Sequence, residues 1–422
     1  MVNILVIGSG AREHAITCKL AQSPGVRKLY VAPGNAGTAS IADNVPVKAE
    51  DITALRHFAL NNSIDLTIVG PEGPLAAGIV DAFQQSNLKI FGPSRNAAEI
   101  ESSKVFSRSL MERHGIPCAA GKSFVDYDEA LAYLQTRRLP VVLKADGLAA
   151  GKGVIIATTL LEAQQTLTAM MQEKCFGQAG SRIVVEDYLE GKEMSFFVFT
   201  DGKSALPTVP ACDYKRIFEG NKGPNTGGMG SYSPPPFFTP LLGETIMSSI
   251  MKPVIKALAE EGRPYRGVLY GGLMIKDNSP YVIEFNARLG DPETQVVLPR
   301  MKTDLLEVIE ATIENRLGDI TIEWRNEACV GVVLASGGYP GEYKTGFPIT
   351  GLSDVDDDII IFHAGTRLGP SGEALTSGGR VLTVVALGAN LAEARAKVYR
   401  NVPKIRFQDV QYRRDIADIY TE

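Results

Sequence analysis

The chain lacks the features that mark secreted, membrane-spanning or nucleic-acid-coating proteins. Its five cysteines (Cys18, Cys118, Cys175, Cys212, Cys329) lie far apart with no CxxC pair, and its four histidines (His14, His57, His114, His363) do not cluster with them. A disulfide framework and a cysteine–histidine zinc site are therefore not expected. No apolar run approaches the ~18 residues of a membrane span. Met1–Ile7 passes straight into glycines without a basic stretch, unlike a signal peptide. Positive charge is not in excess either: 43 Lys and Arg against 48 Asp and Glu give a net charge of −5, which argues against nucleic acid or anionic membrane as partners. There is no internal repeat and no low-complexity segment. At 422 residues, 45% hydrophobic and 22% charged, the composition is that of a globular multidomain protein, with the cytoplasm as its expected location. Glycine alone is over-represented, at 42 residues, and it falls in short clusters, as where backbone must approach a ligand.

Up to about residue 100, apolar runs alternate with helical patterns. Ile4–Ile7, Leu29–Ala32, Leu66–Val69 and Ile90–Phe91 read as buried strands; Ile52, Leu55 and Ala59, then Ala76, Val80 and Phe83, recur at helical spacing. That rhythm predicts a parallel sheet with helices on its faces. A helix is expected over Ser103–His114, ending before Gly115. Beyond it come a strand at Val141–Lys144, a strand at Ile183–Val185 leading into a polar turn at Glu186–Lys192, and a long loop at Gly220–Pro236. Strands at Cys329–Ala335 and Val381–Leu387 and a helix carrying Leu391, Ala394 and Val398 close the chain.

Five segments carry chemistry. Gly8-Ser-Gly10 opens a helix after the first strand, where N–H groups can hold a phosphate. A nicotinamide site fails there, because Glu13 stands at the third glycine position and the second strand ends in Ala32-Pro33-Gly34 with no acidic residue. A tight turn packing helix on strand would give the same pattern. Lys144-Ala-Asp-Gly147-Leu-Ala-Ala-Gly151-Lys152-Gly153 is not a P-loop, since only three residues separate Gly147 from Gly151 and no Ser or Thr follows Lys152. It reads as a hairpin able to close over phosphates, with Lys144 as a point charge or else a lysine snorkelling from a strand end. In Glu186-Asp-Tyr-Leu189-Glu-Gly-Lys-Glu193 a strand breaks into a turn whose main chain suits an adenine edge, and Glu193 suits ribose hydroxyls; a plain polar turn looks alike. Glu284 and Asn286 alternate along a strand, with Ile283 and Phe285 toward the core, and offer two oxygen donors to a hard cation. A solvated strand face gives the same alternation, but the polar cluster Arg288, Asp291, Glu293, Gln295 follows at once. Finally, Gly223-Pro-Asn225-Thr226-Gly227-Gly-Met-Gly230, preceded by Asp213-Tyr-Lys215-Arg216, can present N–H groups and positive charge to an anion, or is only a long loop.

Together these segments, with Ala32-Pro-Gly-Asn-Ala-Gly37 and Val69-Gly-Pro-Glu72, resemble the ATP-grasp ligases over essentially the whole chain. Within that superfamily they resemble the phosphoribosylamine–glycine ligase family. The resemblance implies an α/β and α+β multidomain fold: an N-terminal parallel-sheet domain, 1–101; a two-part ATP-grasp domain, 102–326, with 121–190 as a mobile lid; and a small mixed α/β C-terminal domain, 327–422. It implies ATP as cosubstrate with Mg²⁺ or Mn²⁺, phosphoribosylamine and glycine as small-molecule substrates, and a monomer or weak dimer. By the same resemblance Lys104 and Lys144 meet the ATP phosphates, Gly151, Lys152 and Gly153 form the closing loop, Glu186 and Leu189 flank adenine, and Glu193 takes the ribose. Glu284 and Asn286 are the metal ligands; Asp213, Lys215, Arg288 and Asp291 are catalytic; and Gly10, Gly37, Asn225, Thr226 and Gly227 hold substrate. Two departures stand out: Leu289 where the family has Phe, and Cys212-Asp213-Tyr214 where it has Gln-Asp-His.

Overall fold

The structure is a computed structural model that describes residues 1–148 and 153–418; Gly151 and Lys152 lie outside the described residues. The first hundred residues form the expected parallel sheet. Val2–Gly8 is central, flanked by Val26–Pro33 and Leu66–Val69, with short strands Asp43–Asn44 and Ile90–Phe91 outside them. The pattern Ala76, Val80, Phe83 does not make one helix. Gly78, at φ +90°, ends Glu72–Ala76 and starts Ile79–Gln84, so Leu75 and Ile79 are buried in place of Ala76. Likewise the helix expected from Ser103 is preceded by another, Arg95–Ser102. Ser103 separates the two and caps Lys104–Arg113, its Oγ accepting from the Phe106 N–H.

Two antiparallel sheets follow. One, ordered Gly121–Phe124, Ile183–Asp187, Val141–Ala145, Val154–Ala157, is covered by helices Tyr127–Gln135 and Leu160–Met171 and has its own small core around Leu143, Leu167 and Met170. Lys144 pairs with Val154 across it, so the glycine loop joins two hydrogen-bonded strands. The strand read as Ile183–Val185 runs two residues further, because Glu186 pairs with both Gly121 and Val142. The other sheet is ordered Ala205–Pro207, Lys192–Thr200, Gly267–Lys276, Ser279–Asn286. Its last strand breaks strict alternation: Gly272 pairs with Glu284 but Leu273 with Val282, leaving Ile283 as a bulge. Val282 and Phe285, not Ile283, are the core residues.

The expected loop Gly220–Pro236 contains two strands, Lys222–Asn225 and Gly230–Ser233. The second joins a sheet otherwise built from the C-terminal region, ordered Cys212–Asp213, Gly230–Ser233, Ala328–Ala335, Arg380–Gly388, Ile359–His363. Helix Leu391–Asn401 packs Leu391, Ala394 and Val398 onto that sheet. The region 212–233 is thus tied by backbone hydrogen bonds to 328–335, which fixes the glycine-rich segment relative to the C-terminal strands.

The N- and C-terminal domains meet at a histidine pair. His14 Nδ1 accepts the His363 N–H at 2.9 Å, the rings lie 5.7 Å apart, and the Asn35 amide donates to the His363 carbonyl. A Cβ on Gly37 would fall 2.2 Å from His14 Cε1, so only glycine fits against this pair. Burial, and for His14 the neighbouring His363, depresses the two values to about 3 (His14) and about 4 (His363). Both lie below the ordinary 6.5, so the unfolded chain takes up protons that the folded one refuses. Stability is then full above pH 6.5 and falls as pH drops toward 4, by on the order of 3 kcal/mol between pH 7 and 5 for the pair. Urea midpoints at the two pH values measure this. His14→Gln is expected to remove about half of the pH 7-to-5 difference, and an unchanged difference would contradict the depression of the His14 value by burial.

Candidate active site

Three walls carry the sequence-predicted residues. On the first, Lys144 is no snorkelling surface lysine. Its side chain is 6% exposed, and Nζ donates to the Ile283 carbonyl at 2.8 Å and pairs with Glu186 Oε2 at 2.5 Å. The bulge at Ile283 turns that carbonyl out of the strand ladder toward the lysine. Glu186 Oε1 takes Arg108 Nη1 at 3.0 Å, and Arg108 also donates to the Ala119 and Gly121 carbonyls. Both oxygens of Glu186 therefore already hold cations, and its side chain serves the Lys144–Arg108 network. Leu189 lies beyond the strand end, half-buried. Gly153 is buried, its carbonyl accepting the Ala145 N–H.

On the second wall Glu284 and Asn286 stand side by side at the end of Ser279–Asn286. Lys104, on the first turn of its helix, reaches Glu284 Oε2 at 2.8 Å. Lys104 is the main cause that holds the Glu284 carboxyl well below its usual range, against the opposing effect of burial. Glu193 is paired with Lys215, which lies 3.9 Å from Asp213. Asp213 is pushed up to about 8 by burial and by Glu293, Glu193 and Glu284, with Lys215 opposing. Glu293 Oε1 in turn accepts from Ser195 and Tyr270, each at 2.9 Å. An ionised carboxylate beside an amide oxygen is a donor set suited to Mg²⁺, which binds proteins through one or two such groups and completes its shell with water and phosphate oxygens. Among the described residues no group of three or more His, Cys, Asp or Glu forms a closed metal cage.

The third wall is a junction of all three regions. Arg288 Nη2 pairs with Glu101 at 2.9 Å and Nε lies 3.3 Å from Glu72 Oε2, both carboxylates belonging to the first hundred or so residues. Asp291 pairs with Arg380 at 2.9 Å and accepts from Gln295 at 2.7 Å. Burial opposes its ionisation, but Arg380 and Arg12 outweigh it and hold the carboxyl below its usual range. Gly10 is the N-cap of Ala11–Leu20, and its N–H donates to Glu13 at 2.6 Å; the Gly37 N–H donates to Asn35. Thr226 is tied through N and Oγ1 to the Lys215 carbonyl, and Asn225 pairs with Arg216 across a short hairpin. Leu289 is buried in the core. Tyr214, the other departure, is buried with its hydroxyl accepting the Ala417 N–H and the Arg413 guanidinium 4.8 Å over its ring.

Sequence reasoning missed Arg108, Glu101, Arg12, Glu13, Arg380 and Tyr339. Arg108 gave one signal: it falls on the face of its helix that also buries Ser107 and Met111. Arg12 and Glu13 pair as chain neighbours, whereas Glu101, Arg380 and Tyr339, whose hydroxyl accepts the Gly227 N–H, reach the site only through tertiary contacts.

Family models cover nearly all of the chain: Phosphoribosylglycinamide synthetase, N domain, matches residues 2–101, the ATP-grasp (A) domain 102–294, and the C domain 329–419. The chain belongs to the phosphoribosylglycinamide synthetase family. Relatives named phosphoribosylamine–glycine ligase agree with this. That of Caldanaerobacter subterraneus subsp. tengcongensis is 50% identical over 419 residues, covering 99% of this chain and all of the relative. That of Escherichia coli O157:H7 is 50% identical over 421 residues, covering 99% and 98%. The crystal structure of a phosphoribosylamine–glycine ligase from Thermotoga maritima superposes with a TM-score of 0.86 at 31% identity, over 98% of this chain and all of that one. A biotin carboxylase from Campylobacter jejuni shares the fold at TM-score 0.74 and 15% identity, over 97% of this chain and 92% of its own. In this chain the segments matched by the N, A and C models meet at Arg288 and Asp291. No helix among the described residues is long and apolar enough to cross a membrane.

Proposed function

We propose that the chain is an ATP-dependent ligase of purine biosynthesis that joins 5-phospho-D-ribosylamine and glycine, giving glycinamide ribonucleotide, ADP and phosphate. Full-length identity of about 50% to ligases of that name carries the reading. Glycine's carboxylate is a poor electrophile, so the γ-phosphoryl group is transferred to it first, and the amine then attacks glycyl phosphate and expels phosphate. No side-chain nucleophile is needed; orientation and charge neutralisation suffice, and effective molarity can supply roughly 7–11 kcal/mol. Lys144, held between Glu186 and the Ile283 carbonyl, and Lys104, beside Glu284, are the phosphate-facing cations. Glu193 and the main chain around Glu186 and Leu189 receive the nucleoside, and Lys215 leaves Glu193 for Asp213 or substrate as the ribose enters. Glu284 and Asn286 would hold Mg²⁺ or Mn²⁺, which would neutralise phosphate charge. Arg288, Asp291, Asn225, Thr226 and Gly227 line the glycine and amine side, with Gly10 and Gly37 toward the phosphoribosyl group. The lid, 121–190, with Gly151, Lys152 and Gly153 in its loop, excludes water from the acyl phosphate. The enzyme acts in the cytoplasm, as a monomer or weak dimer.

The deciding measurement is ADP and phosphate release with Mg²⁺-ATP, glycine and phosphoribosylamine generated in place from ribose 5-phosphate and ammonia. Release that requires both glycine and the amine, with the product mass of glycinamide ribonucleotide, is expected. ADP release indifferent to glycine would refute the reading.

A further inference from the structure

Arg380 opens strand Arg380–Gly388 in the C-terminal region, far in sequence from every residue assigned above. Its guanidinium spans two separate segments of the site. Nη1 donates to the Gly227 carbonyl at 2.5 Å and to the Asp291 carbonyl at 3.1 Å, while Nη2 donates to Asp291 Oδ2 at 2.9 Å. The planar fork holds a carboxylate and two carbonyls in one fixed geometry, which the point charge of a lysine does not supply. The loop is shaped to receive it. A Cβ on Gly227 would lie 2.9 Å from Arg380 Cζ, and Gly228, at φ +107°, leaves no room for one against Pro292 at 2.4 Å. Tyr339 completes the hold by accepting the Gly227 N–H on its hydroxyl at 3.0 Å.

The sheet makes this grip stiff. Arg380–Gly388 pairs with Ala328–Ala335, which pairs with Gly230–Ser233, the strand into which the loop runs. Arg380 is therefore anchored on the same sheet as the loop's exit, and Asp291 is brought to it from the neighbouring wall. The charges are matched locally: Arg12 with Glu13, Arg288 with Glu101 and Glu72, Arg380 with Asp291. With Asp291 as its partner, Arg380 offers no surplus charge to a substrate anion; its part is geometric.

We infer that Arg380, with Tyr339 beside it, is a positioning residue through which the C-terminal domain fixes the Gly227 loop against Asp291, setting the wall that receives glycine and the amine. The inference rests on the ligase reading above. Among the described residues Arg380 makes its hydrogen bonds and ion pair to Gly227 and Asp291 and not to Lys104, Lys144 or Glu186, so ATP binding is not its concern.

The test compares wild type with Arg380→Ala, Arg380→Lys, Tyr339→Phe and Asp291→Asn. KM for glycine and for phosphoribosylamine, kcat, and the Kd of ATP by calorimetry are measured for each. Arg380→Ala is expected to raise KM for glycine or the amine, or lower kcat, by roughly tenfold or more, with the ATP Kd within about twofold. Arg380→Lys recovers part of the loss, because it keeps the charge beside Asp291 but not the fork. Arg380→Ala combined with Asp291→Asn is expected to fall short of the product of the single effects, since both break one contact. Tyr339→Phe keeps the ring and removes only the Gly227 contact, so it reports on the loop even where Arg380→Ala folds poorly; a rise in either KM is expected. Unchanged constants in both Arg380→Ala and Tyr339→Phe would overturn the inference, as would equal weakening of ATP and glycine. Wild-type enzyme without glycine-dependent turnover would instead overturn the reaction itself, and the two failures are told apart by that first control.

Discussion

Glu284→Gln is expected to lower ADP release by at least about a hundredfold at ordinary Mg²⁺ while leaving the fold intact. Glu284 sits at the end of a strand whose neighbours Val282 and Phe285 do the packing, and its own oxygens face Lys104. Gln preserves the shape that lies against Gly272, where a Cβ would be 3.3 Å from the Glu284 Cγ. What it removes is the charge, which Lys104 above all keeps in the ionised form. A neutral amide is a poor ligand for a hard cation, so the Mg²⁺ requirement rises sharply or turnover is lost. Metal-free nucleotide tests the assignment from the other side. With Glu284 neutral, Lys104 is released to meet phosphate, and ADP without Mg²⁺ is expected to bind at least as tightly as to wild type. Circular dichroism and the thermal midpoint check the fold. Wild-type rates at ordinary Mg²⁺, or weaker metal-free ADP binding, would refute the metal assignment.

The pattern of the sequence revealed the N-terminal sheet and the final helix because burial there is regular, and it revealed the existence of the strand of Glu284 though not its core-facing set. It misled where a local break overrode that regularity. Gly78 splits a helix whose apolar spacing runs through it, and the bulge at Ile283 shifts the core-facing set by one residue. Ile283 was legible as apolar but not as the residue whose carbonyl receives Lys144, because a bulge is decided by the partner strand. The glycine segment 223–230 reads as loop, since Lys222–Asn225 forms only a short hairpin with Arg216–Phe218 and Gly230–Ser233 pairs with a strand about a hundred residues away. Chemistry-bearing residues clustered in one motif were visible. Those donated by another domain, such as Glu101 to Arg288 or Arg380 to Asp291, were not, because nothing local distinguishes a cross-domain ion pair from a surface charge.

The largest stability loss is expected from Arg288→Met. Arg288 is 16% exposed and faces Glu101, itself 5% exposed, with Glu72 on its other side. Burial already pushes the Glu101 carboxyl up, and the Arg288 guanidinium is the principal opposing charge. Methionine keeps the apolar stem but leaves two carboxylates facing each other without it. Breaking a buried pair by removing one partner costs about 3–5 kcal/mol, which corresponds to roughly 5–10 °C in the midpoint of the least stable cooperative unit. The sign of the pH dependence is diagnostic. In the variant the folded Glu101 value rises further above the unfolded one, so the folded state binds the extra proton and stability falls as pH rises through that window. The deficit relative to wild type is therefore expected to be smallest at mildly acid pH and to grow toward pH 8. Adding Glu101→Gln removes the orphaned charge while the amide can still accept the Ala287 N–H that Glu101 Oε2 holds at 2.7 Å. It is expected to restore much of the lost stability without restoring turnover. Thermal and urea unfolding of the two variants across pH 6 to 8 measure both effects, and a pH-independent deficit that Glu101→Gln fails to relieve would show that Arg288 acts through packing and not through its charge.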